Sequence, residues 1–399
     1  MSSVSGVRRS ASSRPVRGAE LAPQIADAHA AGSPLRIVGG GTWLDAGRPV
    51  TADRAISTRA TAGVVEYTPG DLVITVGGGT TLEEIGAVTR EHNQWLALDP
   101  FGSDTGTIGA TVATASSGPL ASGAGRVRDL TLGVTVIASD GSAVRAGGHV
   151  VKNVAGFDLV RLATGAWGTL GVITEVSLRL HARPEVDETV GVVLDDDTDV
   201  ALLDTLGSTG LTLLALELVS TNVIGSVRPA GSGGGAWTLL ARVSGNRDRA
   251  RAQRAILEPL GTVVQFSNDI WRSVRDMDGP QSATFRVSDA PSRVLGTVRT
   301  VRAALSAASV TDAALCVTPS TGRVRVAVPY SDDDDAPIRS LVKSLRGVGA
   351  SAVWERLPAD CWAWVTPAAT DPISLRIRDA YDPHHILNRG IFGPMGGHA

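Results

Sequence analysis

Cysteine is nearly absent from this 399-residue sequence. Cys316 and Cys361 are too few for a disulfide framework, or for the four thiolates that usually hold an iron-sulfur cluster. Two buried thiols in a reducing cytoplasm are the simpler reading. No apolar run approaches the roughly 20 residues that span a bilayer, so no direct membrane insertion is expected. The net charge of -3 gives neither nucleic acid nor a lipid surface a strong field to meet, so any polyanion bound here must be small and held locally. Histidine is missing between His181 and His384, which removes the usual imidazole bases and metal ligands from that stretch, and no metal site is expected. Arg8-Arg9 has no apolar segment after it, so residues 1–20 read as a disordered basic tail rather than an export signal.

Glycine is plentiful. More than half of the 46 glycines lie between Gly32 and Gly171, alternating with short β-type runs such as Leu35 to Val38 and Leu72 to Val76. That texture suits a backbone that something approaches closely. Thr81-Leu82-Glu83-Glu84 is a capping box that opens a helix running toward His92, and a second helix is expected over Leu21 to Ala30. After Pro184 the pattern changes to two successive strand-helix-strand-strand-helix-strand units, from Thr189 to Val263 and from Thr284 to Glu355. Each unit predicts a ferredoxin-like arrangement, here duplicated. The chain is therefore expected to be α+β, with domains over residues 21–183 and 184–370 and a C-terminal segment, 371–399, returning to the first.

Three segments carry the chemistry. In the first, a strand from Arg36 runs through Val38 into Gly39-Gly40-Gly41-Thr42, where consecutive unhindered N–H groups suit a diphosphate. A tight turn without a ligand accounts for three glycines as well. The Rossmann spacing followed by a helix is missing. The second segment holds Pro100, Thr105-Gly106-Thr107, Gly109 and Ser116-Ser117-Gly118, with small residues and hydroxyls suited to hydrogen-bonding a long polar ligand. The third runs from Gly165 through Gly168 and Gly171 into a strand at Ile173.

In order and spacing these segments resemble the FAD-binding domain of the vanillyl-alcohol-oxidase/PCMH family. Val151-Lys152-Asn153-Val154-Ala155-Gly156-Phe157-Asp158 looks like the K-N-V-A-G-Y-D string of that family's glycolate oxidase FAD-binding subunits, with Phe157 in place of tyrosine. Arg126 to Val134, Ile270 to Arg272, Phe285 to Ser288 and Tyr381 to Gly390 are similar to further stretches of the same group, although Arg389 stands where proline is expected.

The resemblance implies a two-subdomain FAD-binding domain with a ferredoxin-like cap. It implies FAD held by Val38, Gly39, Gly40, Gly41, Thr42, Pro100, Thr105, Gly106, Thr107, Gly109, Ser116, Ser117, Gly118, Lys152, Gly168, Gly171 and Ile173. Attachment is expected to be non-covalent, because Gly41 and Thr42 stand where a tethering histidine would be and no cysteine precedes Cys316. It further implies oxidation of glycolate or D-lactate alongside a larger FAD-linked subunit and an iron-sulfur subunit, or else a flavin-bearing assembly role in that complex, or a stand-alone FAD-linked oxidase of another substrate. Arg286, on an apolar strand, is the candidate for gripping a substrate carboxylate, since a planar guanidinium holds one bidentately. Pairing of Arg286 with an internal acid such as Glu217 competes with that role.

Overall fold

The computed structural model describes residues 18–148, 158–194, 202–206, 210–225, 235–279, 281–331, 334–346 and 352–393. Lys152 and most of the string around it, and nearly all of the N-terminal tail, lie outside these residues.

The first domain has two small layers. The helix Leu21–Ala31 buries Leu21, Ile25 and Ala28, three to four residues apart, against the parallel pair of strands Leu35–Val38 and Arg54–Ser57. Beside it stands a five-stranded antiparallel sheet, in the spatial order Val64–Thr68, Val73–Gly77, Val172–Arg179, Thr131–Ile137, Ala143–Gly147. The helices Leu82–Arg90, Ile108–Thr114 and Leu159–Ala163 bury Ile85, Ile108, Val112 and Val160 against it. The capping box forms as the sequence predicts, with Thr81 Oγ1 accepting from Glu84 N and Glu84 Oε2 accepting from Thr81 N. The next two helix N–H groups, of Leu82 and Glu83, donate to the Gly106 and Asp104 carbonyls. Thus part of the second glycine-rich segment closes a helix end.

The second domain is one continuous eight-stranded antiparallel sheet. Its first half takes Val186–Leu194, Ala215–Ser220, Trp237–Gly245 and Val263–Phe266 in the spatial order fourth, first, third, second. The second half, from Ser282–Ser288, Ala314–Thr318, Arg323–Pro329 and Ala352–Arg356, repeats that order in mirror sense. This is the ferredoxin-like pattern twice over. The halves meet edge to edge through Leu218 opposite Val317 and Val219 opposite Cys316. One face is covered by the helices Val294–Ala307 and Ala336–Leu345, which bury Val298, Val301, Leu305, Leu341 and Val342. Where strands from the second half meet the first domain, the other face carries Arg286, Arg323 and Arg325.

The chain then returns. Leu35 N donates to Ile386 O at 2.7 Å and Asn388 N to Leu35 O at 2.9 Å, so residues 386–388 run beside the first strand.

Candidate functional site

A cleft in the first domain is lined by Gly39, Gly40, Gly41 and Thr42 from the first segment, Gly109 from the second, and Gly168, Gly171 and Ile173 from the third. Eight of the residues expected at a cofactor site thus come together. Close backbone approach explains their size. A Cβ on Gly39 would lie 2.2 Å from Thr107 Oγ1, on Gly40 2.6 Å from Thr105 O, and on Gly109 2.7 Å from Gly78 O. Gly41 and Gly168 have φ of +75° and +71°, which L side chains rarely adopt.

The other expected residues that are described are not among those lining the cleft. Val38 ends its strand, and Thr105 to Thr107 form the wall on which the glycine loop rests. Ser116 Oγ accepts from Phe101 N, which follows Pro100, and Ser117 O accepts from Arg323 Nη1 at 3.1 Å. A Cβ on Gly118 would sit 2.0 Å from Asp99 O. These positions hold the shape of the loop and join it to the second domain.

Several cleft residues went unmarked in the sequence. Arg36 is the one charged side chain among the lining residues. Trp43, Thr58, Thr114, Trp167 and Asn388 also line it. Asn388 Oδ1 accepts from Ile37 N at 2.9 Å while its Nδ2 donates to Trp167 O at 2.7 Å, so one side chain ties the first and third segments together. Arg389 turns away to donate to the His384 and His385 carbonyls, which settles where the arginine in the expected proline's place goes.

The cleft's donors fit a diphosphate. Among the described residues, the main-chain N–H groups of Gly40, Gly41 and Thr42 donate to no acceptor. Arg36, whose Nη2 donates to Leu44 O, lines the same cleft, and consecutive main-chain amides without partners suit an anion. The buried Thr107 hydroxyl behind the loop also lacks a partner.

A second polar cluster lies where the domains meet. Arg325, with a side chain only 2% exposed, binds Asp278 Oδ2 through Nη2 at 3.0 Å and Glu355 through Nη1, and its guanidinium lies 3.8 Å from the Phe101 ring centroid. Glu355 also takes Arg286 Nη1 at 2.9 Å, and Asp278 takes Arg356 Nη1 at 3.1 Å. The internal acid paired with Arg286 is therefore Glu355, not Glu217. Strand register decides this: Glu217 accepts instead from Thr318 Oγ1 and Cys316 Sγ. Burial alone would raise the Glu355 carboxyl, but Arg325, Arg286 and Arg323 hold it below the usual range. At Asp278 and Glu217 burial wins, and both are raised. Arg286 keeps 41% of its side chain exposed and so retains donors for another ligand.

Residues 12–147 match the family described as FAD binding domain. The chain is 40% identical over 166 residues to glycolate oxidase subunit GlcE of Escherichia coli, a match covering 41% of this chain and 47% of that protein. It is 29% identical over 171 residues to a D-lactate dehydrogenase of Archaeoglobus fulgidus, covering 43% and 38%. The chain thus spans about half, or less, of the length of these curated relatives. Among solved structures, p-cresol methylhydroxylase shares the fold with a TM-score of 0.75 at 16% identity, over 94% of this chain and 87% of that one. No described helix is long and apolar enough to cross a membrane. The chain therefore carries, over residues 12–147, a match to an FAD-binding domain, within an α+β fold shared with p-cresol methylhydroxylase.

Proposed function

We propose that this chain is an FAD-binding subunit of a 2-hydroxy-acid dehydrogenase that oxidises glycolate or D-lactate to the 2-oxo acid. The observation that carries the proposal is the docking of an arginine-bearing sheet face on Phe101 and Ser117, which flank the helix Ile108–Thr114, with Arg286 left partly open. The similarity to a glycolate oxidase subunit and a D-lactate dehydrogenase agrees with a small carboxylate substrate. FAD, once bound, supplies the acceptor for a hydride from the substrate carbon.

The protein's own share is binding and orientation. Gly40, Gly41, Thr42 and Arg36 hold the diphosphate without a covalent tether. Lys152 is assigned to the same cofactor from the sequence alone. Arg286 receives the substrate carboxylate, and Glu355 keeps that guanidinium in one orientation. Assembly with a larger FAD-linked subunit and an iron-sulfur subunit in the cytoplasm would carry the electrons onward.

A second reading is favoured by one feature of the arginine face. Glu355 and Asp278 are both tied to arginines, and no histidine lies between His181 and His384 to take the hydroxyl proton. In that reading the chain holds flavin and helps assemble the complex but turns over no substrate. Anaerobic addition of glycolate or D-lactate to the flavin-loaded chain separates the two. Bleaching of the visible flavin band, lost in Arg286→Ala, supports autonomous oxidation; bound flavin that stays unbleached supports the assembly role.

A further inference from the structure

Two indoles, of Trp43 and Trp167, line the cofactor cleft and stack on each other. The Trp43 and Trp167 rings are within 14° of parallel, with centroids 6.3 Å apart. That separation lies within the roughly 4.5–7 Å of a directly packed pair, and a third flat ring needs planes about 7 Å apart, so the pair must part slightly to admit one. Trp167 is held there against its backbone preference: its φ is +52°, fixed by its N–H on Ala113 O at 2.7 Å and its carbonyl on Asn388 Nδ2 at 2.7 Å. A bulky residue in this region is strained and persists where the surroundings impose it, often at ligand clamps. Trp43 contributes a different anomaly, because its buried Nε1 has no hydrogen-bond partner among the described residues. The Arg356 guanidinium, 5.7 Å from the Trp43 ring centroid, ties this wall of the cleft to the ion network of the second domain.

We propose that Trp43 and Trp167 form an aromatic clamp that parts to grip a planar heteroaromatic ring of the dinucleotide. The assignment rests on FAD binding in the cleft and adds the residues that select a flat ring there. Stacking tolerates different rings because each has a π-face, so the clamp accepts either adenine or isoalloxazine. Fragments distinguish them, since ADP carries only the first and FMN only the second.

The test uses the full chain freed of flavin and titrated with FAD, ADP and FMN, following tryptophan fluorescence and the flavin absorption band. FAD is expected to quench the parent's tryptophan emission. Trp43→Ala should bind FAD roughly tenfold or more weakly, while Trp43→Phe, which keeps a ring, stays within about threefold of the parent. The fragment whose affinity falls in Trp43→Ala names the ring that is gripped. Thermal midpoints matched to the parent show that the variants are folded, and Trp167→Gly, which suits a positive φ, provides a second variant without added strain. Parent-like FAD affinity and an unaltered flavin band in both Trp43→Ala and Trp167→Gly would mean that the indoles only pack on each other, overturning the clamp. A parent chain that binds no FAD would overturn the cofactor assignment and the clamp together.

Discussion

Arginine does most of the buried electrostatic work in this chain. Arg325 is sealed between two carboxylates, and each of those acids has a second arginine: Glu355 holds Arg286, and Asp278 holds Arg356. Removing one partner of a buried pair is costly mainly because it strands the other charge. Arg325→Met leaves each acid with one arginine, whereas Glu355→Ala strips a partner from Arg325 and Arg286 at once. Glu355→Ala is therefore expected to cost about 3–5 kcal/mol in denaturant unfolding, and Arg325→Met clearly less. Asp99 behaves differently. Burial pushes its carboxyl up to about 7, although it accepts from Leu120 N and feels Arg275 and Arg242. Between roughly pH 4, where the unfolded carboxyl releases its proton, and about 7, the folded state binds the extra proton, so stability falls as pH rises through that window and levels off above it. Asp99→Asn should remove this slope, giving a larger gain in thermal midpoint at pH 8 than at pH 4.5.

The elements differ in how far the sequence announces them. The glycine loops were visible because their signature is contiguous in sequence, although the atoms that a Cβ on Gly39, Gly40 or Gly109 would strike belong to Thr107, Thr105 and Gly78, far along the chain. The capping box at Thr81 was visible for the same reason. The strands and helices of the second domain follow periodicity, but nothing periodic records that Val219 pairs with Cys316 to fuse two halves into one sheet. Nor does periodicity give the register that hands Arg286 to Glu355. Asn388 was missed because its partner Ile37 lies 351 residues away. Its φ of +45° suits asparagine better than most residues, and its two hydrogen bonds brace both the first strand and the strained Trp167. Asn388→Ala should weaken FAD binding and speed amide exchange in residues 35–38, and unchanged exchange there would refute the bracing role.

At the scale of the molecule, the two domains are joined by specific polar contacts as well as by covalent links. Arg275 grips Asp104 at 2.5 Å and 3.2 Å and accepts at its carbonyl from Gly102, Arg323 reaches Ser117 O, and Gly47 N donates to Glu355 O at 2.7 Å. Arg275 is nearly buried while Asp104 is 42% exposed, so salt should screen this link in part. One calorimetric transition is expected for the parent chain, with Arg275→Ala separating it into two; a single unshifted transition in that variant would show that the domains are coupled by other means. The returning C-terminal segment has a further consequence, for synthesis rather than stability. The first strand and the glycine loop emerge early from the ribosome, but Asn388 and Ile391, which complete the cleft, are translated after the whole second domain. A nascent chain therefore has no finished flavin pocket, and cofactor loading becomes a post-translational event, a checkpoint that truncated or stalled products fail.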